Sequence, residues 1–169
     1  SDLGVRLIPV VTAKDMADTL SAQLAWSSIV IMAAAVADFL PKTPAPQKIK
    51  KGTAAVPPLE LERGPDILAM LSARRTSQIL VGFAAETEQL VQHATGKLHA
   101  KALDLIVAND VTQPGAGFGS DQNAATILSR TGGQLTLSLR PKTQLAHDIL
   151  STIVEFSKNE PRKQTPVSV

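Results

Sequence analysis

Hydrophobic and polar residues change their spacing at regular intervals along the chain, which indicates strands that alternate with helices. Continuous apolar runs predict the main strands, at residues 5–11, 27–34, 78–87 and 103–111. Apolar residues three and four positions apart predict the helices, at residues 12–25, 65–75, 88–102 and 141–156. Strands and helices in alternation predict an α/β fold built around a mostly parallel sheet.

Local signals at the ends of these segments support the assignment. Thr12 and Asp15 form a capping box at the start of the first helix, and Pro65 suits the first position of the second. Pro9 lies inside the first strand, which predicts that this strand is at or near a sheet edge. Residues 59–62 alternate like a short, half-exposed strand.

The C-terminal third of the chain predicts a second kind of pairing. Two alternating segments, residues 124–129 and 134–139, flank a Gly-Gly turn, and this pattern predicts a β-hairpin. We therefore expect an antiparallel addition to the sheet. Residues 1–157 form one domain in this interpretation, and the polar residues 158–169 form a frayed tail.

One stretch of sequence combines a predicted strand with candidate chemistry. The strand at 27–34 leads into small alanines, which let a ligand approach the main chain, and then to the carboxylate of Asp38. A loop with three prolines follows and closes on lysines 48, 50 and 51. Solvated lysines on a surface loop are one interpretation. In open α/β sheets ligands bind at this end of a strand, so we predict that residues 41–58 form a basic lid over a polyphosphate.

The strand at 78–87 repeats this order of apolar run, small residues and carboxylate. Phe83, at its end, serves either as core filling or as a flat surface against a base. Lys97 and Lys101 are four residues apart in the next predicted helix, so they project from one helix face. There they can bind phosphates or cap the helix carbonyls.

Composition narrows the functional classes. A chain of 169 residues, 44% hydrophobic, can bury one sizeable core, whereas a net charge of +2 and 3% aromatic residues argue against a nucleic-acid surface. The chain has no Cys, and no apolar run approaches the roughly 20 residues that cross a bilayer, so we expect a cytoplasmic location. The histidines show no metal-ligand spacing, and no protein metal site is predicted.

Several short motifs, taken in order, resemble those of phosphopantothenate-cysteine ligases. They are AAAVADF, KIKK, GPDIL, GFAAET, the Lys97 and Lys101 pair, DLIVANDV and GFGSDQNA. The resemblance covers about residues 5–154 and implies a Rossmann-like three-layer sandwich. In bacteria such a domain is usually the C-terminal half of a bifunctional coenzyme A biosynthesis protein, and the family resemblance implies a homodimer.

The resemblance also implies a reaction and its site. The family joins 4'-phosphopantothenate to L-cysteine with CTP and Mg²⁺, through an acyl-cytidylate, and the basic lid resembles the CTP-using bacterial type. Lys48 is the implied catalytic lysine of the lid. The implied nucleotide contacts are Ala34, Asp38, Lys48, Pro65, Asp66, Ile67, Leu68, Phe83, Lys97 and Lys101. No nucleic-acid or membrane partner is implied.

The family begins with a strand, a Gly-rich turn and a segment with an arginine and an asparagine, which have no counterpart before Ser1. We expect about 60 residues, enough for two βα units, to be missing from this sequence. The expected consequence is that this chain alone holds the nucleotide only in part and does not complete the reaction.

Two other functions fit parts of the sequence. An NAD-dependent oxidoreductase uses a similar sheet, but the sequence has no Tyr, and the glycines at 115, 117 and 119 follow no strand-to-helix turn of the dinucleotide type. A non-catalytic Rossmann-like module that binds a nucleotide or dimerises is the other alternative.

Overall fold

The structure is a computed structural model, and it describes residues 4–49, 58–86, 89–111, 113, 115–116 and 119–159. The strands are β1 (Ile29–Met32), β2 (Phe39–Pro41), β3 (Leu61–Arg63), β4 (Ile79–Glu86), β5 (Leu105–Asp110), β6 (Gln122–Ser129) and β7 (Gln134–Pro141). The helices are α1 (Ala13–Gln23), α2 (Ile67–Arg74), α3 (Leu90–Ala100) and α4 (Lys142–Asn159). None of these helices combines the length and apolar composition of a membrane span.

Five strands form one mixed sheet in the order β1-β4-β5-β6-β7. The strands β1, β4 and β5 run parallel, and β6 and β7 continue the sheet in antiparallel pairing. The turn between β6 and β7 contains Gly132, whose φ of 89° is in the region that favours glycine. The predicted α/β fold and its C-terminal hairpin are confirmed.

Apolar side chains cover both faces of this sheet, which gives the fold three layers. Successive side chains of a strand point to opposite faces, so Leu80 and Ala84 of β4 pack with α1, α2 and α3, whereas Ile79 and Val81 pack with α4. The continuous apolar runs in the sequence arise because β4 and β5 are buried on both sides.

The first helix begins where the sequence predicts. The Thr12 hydroxyl accepts the backbone N–H of Asp15 at 3.0 Å, and the Asp15 carboxylate accepts the backbone N–H of Thr12 at 2.9 Å. The hydrogen bond from the Thr12 backbone N–H is the largest cause that lowers the pKa of the Asp15 carboxyl, and the Thr12 side chain lowers it further. The helix then continues through a 3₁₀ turn, Leu24–Trp26.

The predicted strand at residues 5–11 is wrong over the residues that the structure describes. These residues form no regular structure, and Leu7 and Val11 are 88% and 94% exposed. In the part of the chain that the structure describes, this segment belongs to neither sheet. As a result β1, which the sequence suggests is buried on both sides, lies at the sheet edge, where Ile31 is 40% exposed.

A small antiparallel ribbon, separate from the main sheet, joins the segment after β1 to α2. The ribbon consists of β2 and β3, with Phe39 opposite Arg63 and Pro41 opposite Leu61. The short strand predicted at 59–62 is therefore shifted to Leu61–Arg63, and the predicted lid starts from the ribbon. Residues 42–49 contain no helix or strand, as their prolines predict, and residues 50–57 lie outside the described residues.

Two helix boundaries differ from the predictions by a few residues. Asp66, not Pro65, directly precedes α2: its side chain accepts the backbone N–H of Ala69, so Pro65 lies before the N-cap rather than at the first helical position. The last helix starts at Lys142 because Pro141 ends β7, and it continues to Asn159. Residues 160–169 of the predicted tail lie outside the described residues.

A buried carboxylate joins the helical layer to the hairpin at the amino ends of the parallel strands. Asp104, with only 4% of its side chain exposed, accepts the backbone N–H of Leu80 at 2.7 Å and pairs with Arg75 and Arg130. The Arg130 guanidinium lies 5.8 Å from the ring centroid of Phe156 in α4. One carboxylate thus ties α2, β4, the hairpin and α4 together.

We expect Asp104→Asn to lower the free energy of unfolding by about 3 kcal/mol, because it leaves two guanidinium groups without their buried partner. Urea unfolding followed by circular dichroism measures this change. Asp18→Asn is the matched control, since it removes a pair exposed by 81% and 68% and should change stability by under about 1 kcal/mol. Equal effects of the two substitutions would contradict a structural role for Asp104.

Candidate functional site

The cavity that contains most of the predicted site residues is called the main cavity, and it lies at the carboxyl ends of β1 and β4, beside the start of α2 and the end of α3. Its volume is about 280 Å³. Its walls contain Met32, Ala34, Ala35, Val36, Asp38, Pro65, Asp66, Ile67, Leu68, Phe83, Lys97 and Lys101. Every residue that the sequence predicts for the nucleotide site is therefore in one wall, with the exception of Lys48. Their contacts with a nucleotide stay a prediction.

The segment after β1 forms the side of the main cavity that carries Asp38. Gly64 holds this segment in place, because its backbone N–H donates to the carbonyl oxygen of Asp38 at 2.8 Å. A Cβ atom at residue 64 would lie 2.6 Å from the carbonyl oxygen of Ala37, so the backbone approaches this closely only with glycine. The base of the ribbon is thereby fixed against the cavity.

The start of α2 places Asp66 opposite the end of α3. Asp66 Oδ1 accepts the backbone N–H of Ala69 at 3.1 Å and lies 3.2 Å from Lys101 Nζ. On the same helix, Ile67 and Leu71 are buried in the core, and Leu68 packs beside them against the cavity. Amphipathic spacing in α2 therefore fixes which side of the helix faces the site.

The end of α3 brings two ammonium groups to the same space. Lys97 is in the last turn of α3 and Lys101 is the residue that caps it, so the two side chains lie one turn apart and both line the main cavity. The spacing predicted this shared face. The described wall thus contains two carboxylates, Asp38 and Asp66, and two lysines.

Phe83 stands between the main cavity and a neighbouring one. It is half-buried, it packs against the apolar layer under α4, and it lines both cavities together with Ala34 and Ala35. Core filling and contact with a ligand, which the sequence presents as alternatives, are therefore compatible. Gly82 allows close packing beside it, because an added Cβ would lie 2.7 Å from Leu103 and 3.2 Å from Leu68.

Lys48 is the predicted site residue that the structure leaves outside the main cavity. It is exposed in the segment that continues from the ribbon, and it is not among the residues of the cavity wall. Its neighbours Lys50 and Lys51 lie outside the described residues. The closing of a lid over the site therefore stays a prediction.

The second cavity contains residues that sequence reasoning missed. It has a volume of about 360 Å³ and adjoins the main cavity beyond Phe83. Asn123 of β6 donates its side-chain N–H to the Asn109 side-chain oxygen of β5 at 3.2 Å, and Lys142 lies in the same wall. Asn109 is part of the DLIVANDV motif, and the polar residues at the end of the strand at 103–111 could have identified it.

The chain matches a known protein family over nearly all of its length. The matching family model describes the DNA/pantothenate metabolism flavoprotein C-terminal domain, and the match covers residues 1–156. A solved crystal structure of the C-terminal domain of coenzyme A biosynthesis bifunctional protein CoaBC is similar, with a TM-score of 0.76 and 32% identity. The similarity covers 94% of this chain and 69% of that one.

Two curated relatives are longer than this chain. The coenzyme A biosynthesis bifunctional protein CoaBC of Bacillus subtilis is 47% identical over 151 residues, which are 89% of this chain and 37% of that protein. A protein named cysteine/cysteine sulfinic acid decarboxylase, from an unknown prokaryotic organism, is 37% identical over 155 residues, 91% of this chain and 43% of that protein. The chain thus spans less than half the length of either relative.

The packing at Gly82 generates a test of how the wall is built. We expect Gly82→Val to lower the free energy of unfolding by about 2 kcal/mol, because the new side chain overlaps Leu103 and Leu68. Gly96→Ala is the control: Gly96 is in α3 with nothing within 4 Å of an added Cβ, so it should raise stability by up to about 1 kcal/mol. Thermal unfolding monitored by circular dichroism compares the two. An unchanged free energy of unfolding in Gly82→Val would show that Leu68 is not held tightly.

Proposed function

The chain belongs to the DNA/pantothenate metabolism flavoprotein C-terminal domain family, and from that premise we propose that it is a phosphopantothenate-cysteine ligase domain of coenzyme A biosynthesis. In this function it joins 4'-phosphopantothenate to L-cysteine and uses CTP. One observation carries the proposal: Asp38, Phe83, Lys97 and Lys101, from three separate segments, line one cavity at the carboxyl edge of a parallel sheet.

The walls of the main cavity suit the parts of a nucleotide. Phe83, Ala34 and Leu68 supply apolar surface for a flat pyrimidine, and the Asp38 carboxylate accepts hydrogen bonds from ribose hydroxyls. Lys97 and Lys101 supply charged N–H donors for phosphate oxygens. Lys48, in the segment beside the ribbon, reaches the phosphates when the lid closes in this proposal.

The proposed chemistry needs positioning and charge stabilisation rather than a covalent nucleophile of the protein. The carboxylate of phosphopantothenate attacks the α-phosphorus of CTP, and pyrophosphate leaves. The cysteine amine then attacks the acyl carbon, loses a proton and displaces CMP. The lysines stabilise the negative charge that grows on the departing pyrophosphate, and the cavity holds the reacting groups together.

Mg²⁺ fits this site as a companion of the triphosphate. It usually binds one or two carboxylates together with substrate phosphates and water, and the Asp38 carboxylate lies in the wall. When bound, the ion neutralises phosphate charge. Within the described residues no group of three or more His, Cys, Asp or Glu side chains could hold a metal by itself.

The family membership also supports a homodimer in the cytoplasm, with small-molecule substrates and no membrane or nucleic-acid partner, as parts of the proposal.

The decarboxylase name of one relative is a reason for a direct test, because that protein contains the same kind of domain in a chain more than twice as long. Binding of CTP rather than NAD distinguishes the ligase from an NAD-dependent oxidoreductase.

We expect Mg²⁺ and CTP to raise the melting temperature. At about 100 times the dissociation constant a ligand stabilises the folded state by about 2.7 kcal/mol, which corresponds to roughly 5–10 °C for a domain of this size. Differential scanning fluorimetry measures the shift, with NAD at the same concentration as the comparison. A shift with NAD and none with CTP would reject the ligase in favour of the oxidoreductase.

Substitution of one wall lysine tests the phosphate contact. We expect Lys97→Met to weaken CTP binding about tenfold, since it removes a charge-assisted hydrogen bond, and to leave cytidine binding unchanged. Lys14→Met is the matched control, because Lys14 is 81% exposed on α1 and pairs only locally with Asp18. Isothermal titration calorimetry measures both. Equal loss of CTP and cytidine binding would contradict a phosphate role for Lys97.

A further inference from the structure

One ion pair joins two helices across the wall of the main cavity. Asp66 is the N-cap of α2 and Lys101 is the cap at the end of α3, and Asp66 Oδ1 lies 3.2 Å from Lys101 Nζ. The two side chains are 50% and 34% exposed, so the pair is at the rim of the cavity and not in the core. Both residues line the cavity.

Neither the start of α2 nor the end of α3 requires this ion pair. The backbone N–H of Ala69 donates to Asp66 Oδ1, and an asparagine caps a helix as well as an aspartate does. The end of α3 is closed by backbone hydrogen bonds from the Lys101 N–H to Lys97 and His99. A charged residue at position 66 therefore does one thing that an amide does not: it holds the Lys101 ammonium.

The ion pair leaves Lys101 able to bind a ligand. A lysine side chain has four flexible bonds, and a ligand that binds it must restrict their freedom. Contact with Asp66 restricts these bonds before a ligand binds. An ammonium group has three N–H donors, so an ion pair with one oxygen of Asp66 leaves donors for the oxygens of an anion. Because exposed pairs contribute little to stability, the expected effect is on binding and not on folding.

We propose that Asp66 is a positioning residue whose carboxylate holds the Lys101 ammonium at the rim of the main cavity, where it binds the phosphate oxygens of a nucleoside triphosphate. The proposal rests on the proposed function, since it takes CTP as the ligand of this cavity. It adds a role for Asp66 that acts through Lys101 and needs no contact between the carboxylate and the nucleotide.

The Asp66→Asn variant tests this role, because it keeps the helix cap and removes the ion pair. We expect its melting temperature to be unchanged and its CTP affinity, measured by isothermal titration calorimetry, to be about fivefold weaker. A general charge effect predicts tighter CTP binding instead, since the substitution removes a negative charge from beside the triphosphate. Asp66→Ala is the structural control, and it should lower the melting temperature through loss of the cap.

A double-mutant cycle separates positioning from direct contact. Lys101→Met should weaken CTP binding by itself, and Asp66→Asn should have no further effect in the Lys101→Met background. Unchanged or tighter CTP binding by Asp66→Asn overturns the role of Asp66. So does a double variant whose loss of CTP affinity equals the sum of the losses, in free energy, of the two single variants. The proposed function survives these outcomes if Lys97→Met and Lys101→Met weaken binding. Failure of the unaltered chain to bind CTP overturns the proposed function and the inference together.

Discussion

The parallel register between β1 and β4 is the constraint on which the site depends. The two strands are paired from Ile29 with Ile79 to Met32 with Gly82, so they reach the same edge of the sheet together. Ala34, two residues after the end of β1, and Phe83, the next residue of β4, consequently border the same cavity. A shift of one residue would turn the side chains of a strand to the opposite face and separate these groups.

Charge in the described wall is balanced rather than concentrated. Two carboxylates and two lysines line the main cavity, and one carboxylate is already engaged by a lysine and by the first turn of a helix. In the proposed function, the wall alone therefore attracts a polyphosphate through the arrangement of its donors more than through net charge. The positive excess that such a ligand requires comes, in the proposed function, from the lysines of the lid and from Mg²⁺.

Local interactions explain which parts of the fold could be predicted from the sequence. The capping box of Thr12 and Asp15 spans three residues, and the hairpin has its own turn, so both are visible in a short window. The strand expected at 5–11 requires a neighbour elsewhere in the chain, and an apolar pattern does not reveal whether one exists. The ribbon pairs segments about twenty residues apart through exposed strands, where no hydrophobic pattern marks the register.

The same reasoning applies to the site. Lys97 and Lys101 share a face because of helix geometry, so their spacing alone predicted it. The hydrogen bond between Asn109 and Asn123 crosses two strands, and the pairing of Asp66 with Lys101 crosses two helices. Neither contact follows from spacing, because each depends on the tertiary packing of separate elements.

Close packing behind Gly82 links the hydrophobic core to the shape of the cavity. Leu103, which is 2% exposed, and Leu68, which lines the cavity, both approach the position that a Cβ atom would occupy at this glycine. In the proposed function, a smaller residue at position 103 would leave free volume into which Leu68 can retreat, and the space available to the nucleobase would widen. Selectivity between bases of different size can therefore be altered by engineering a residue that no ligand touches.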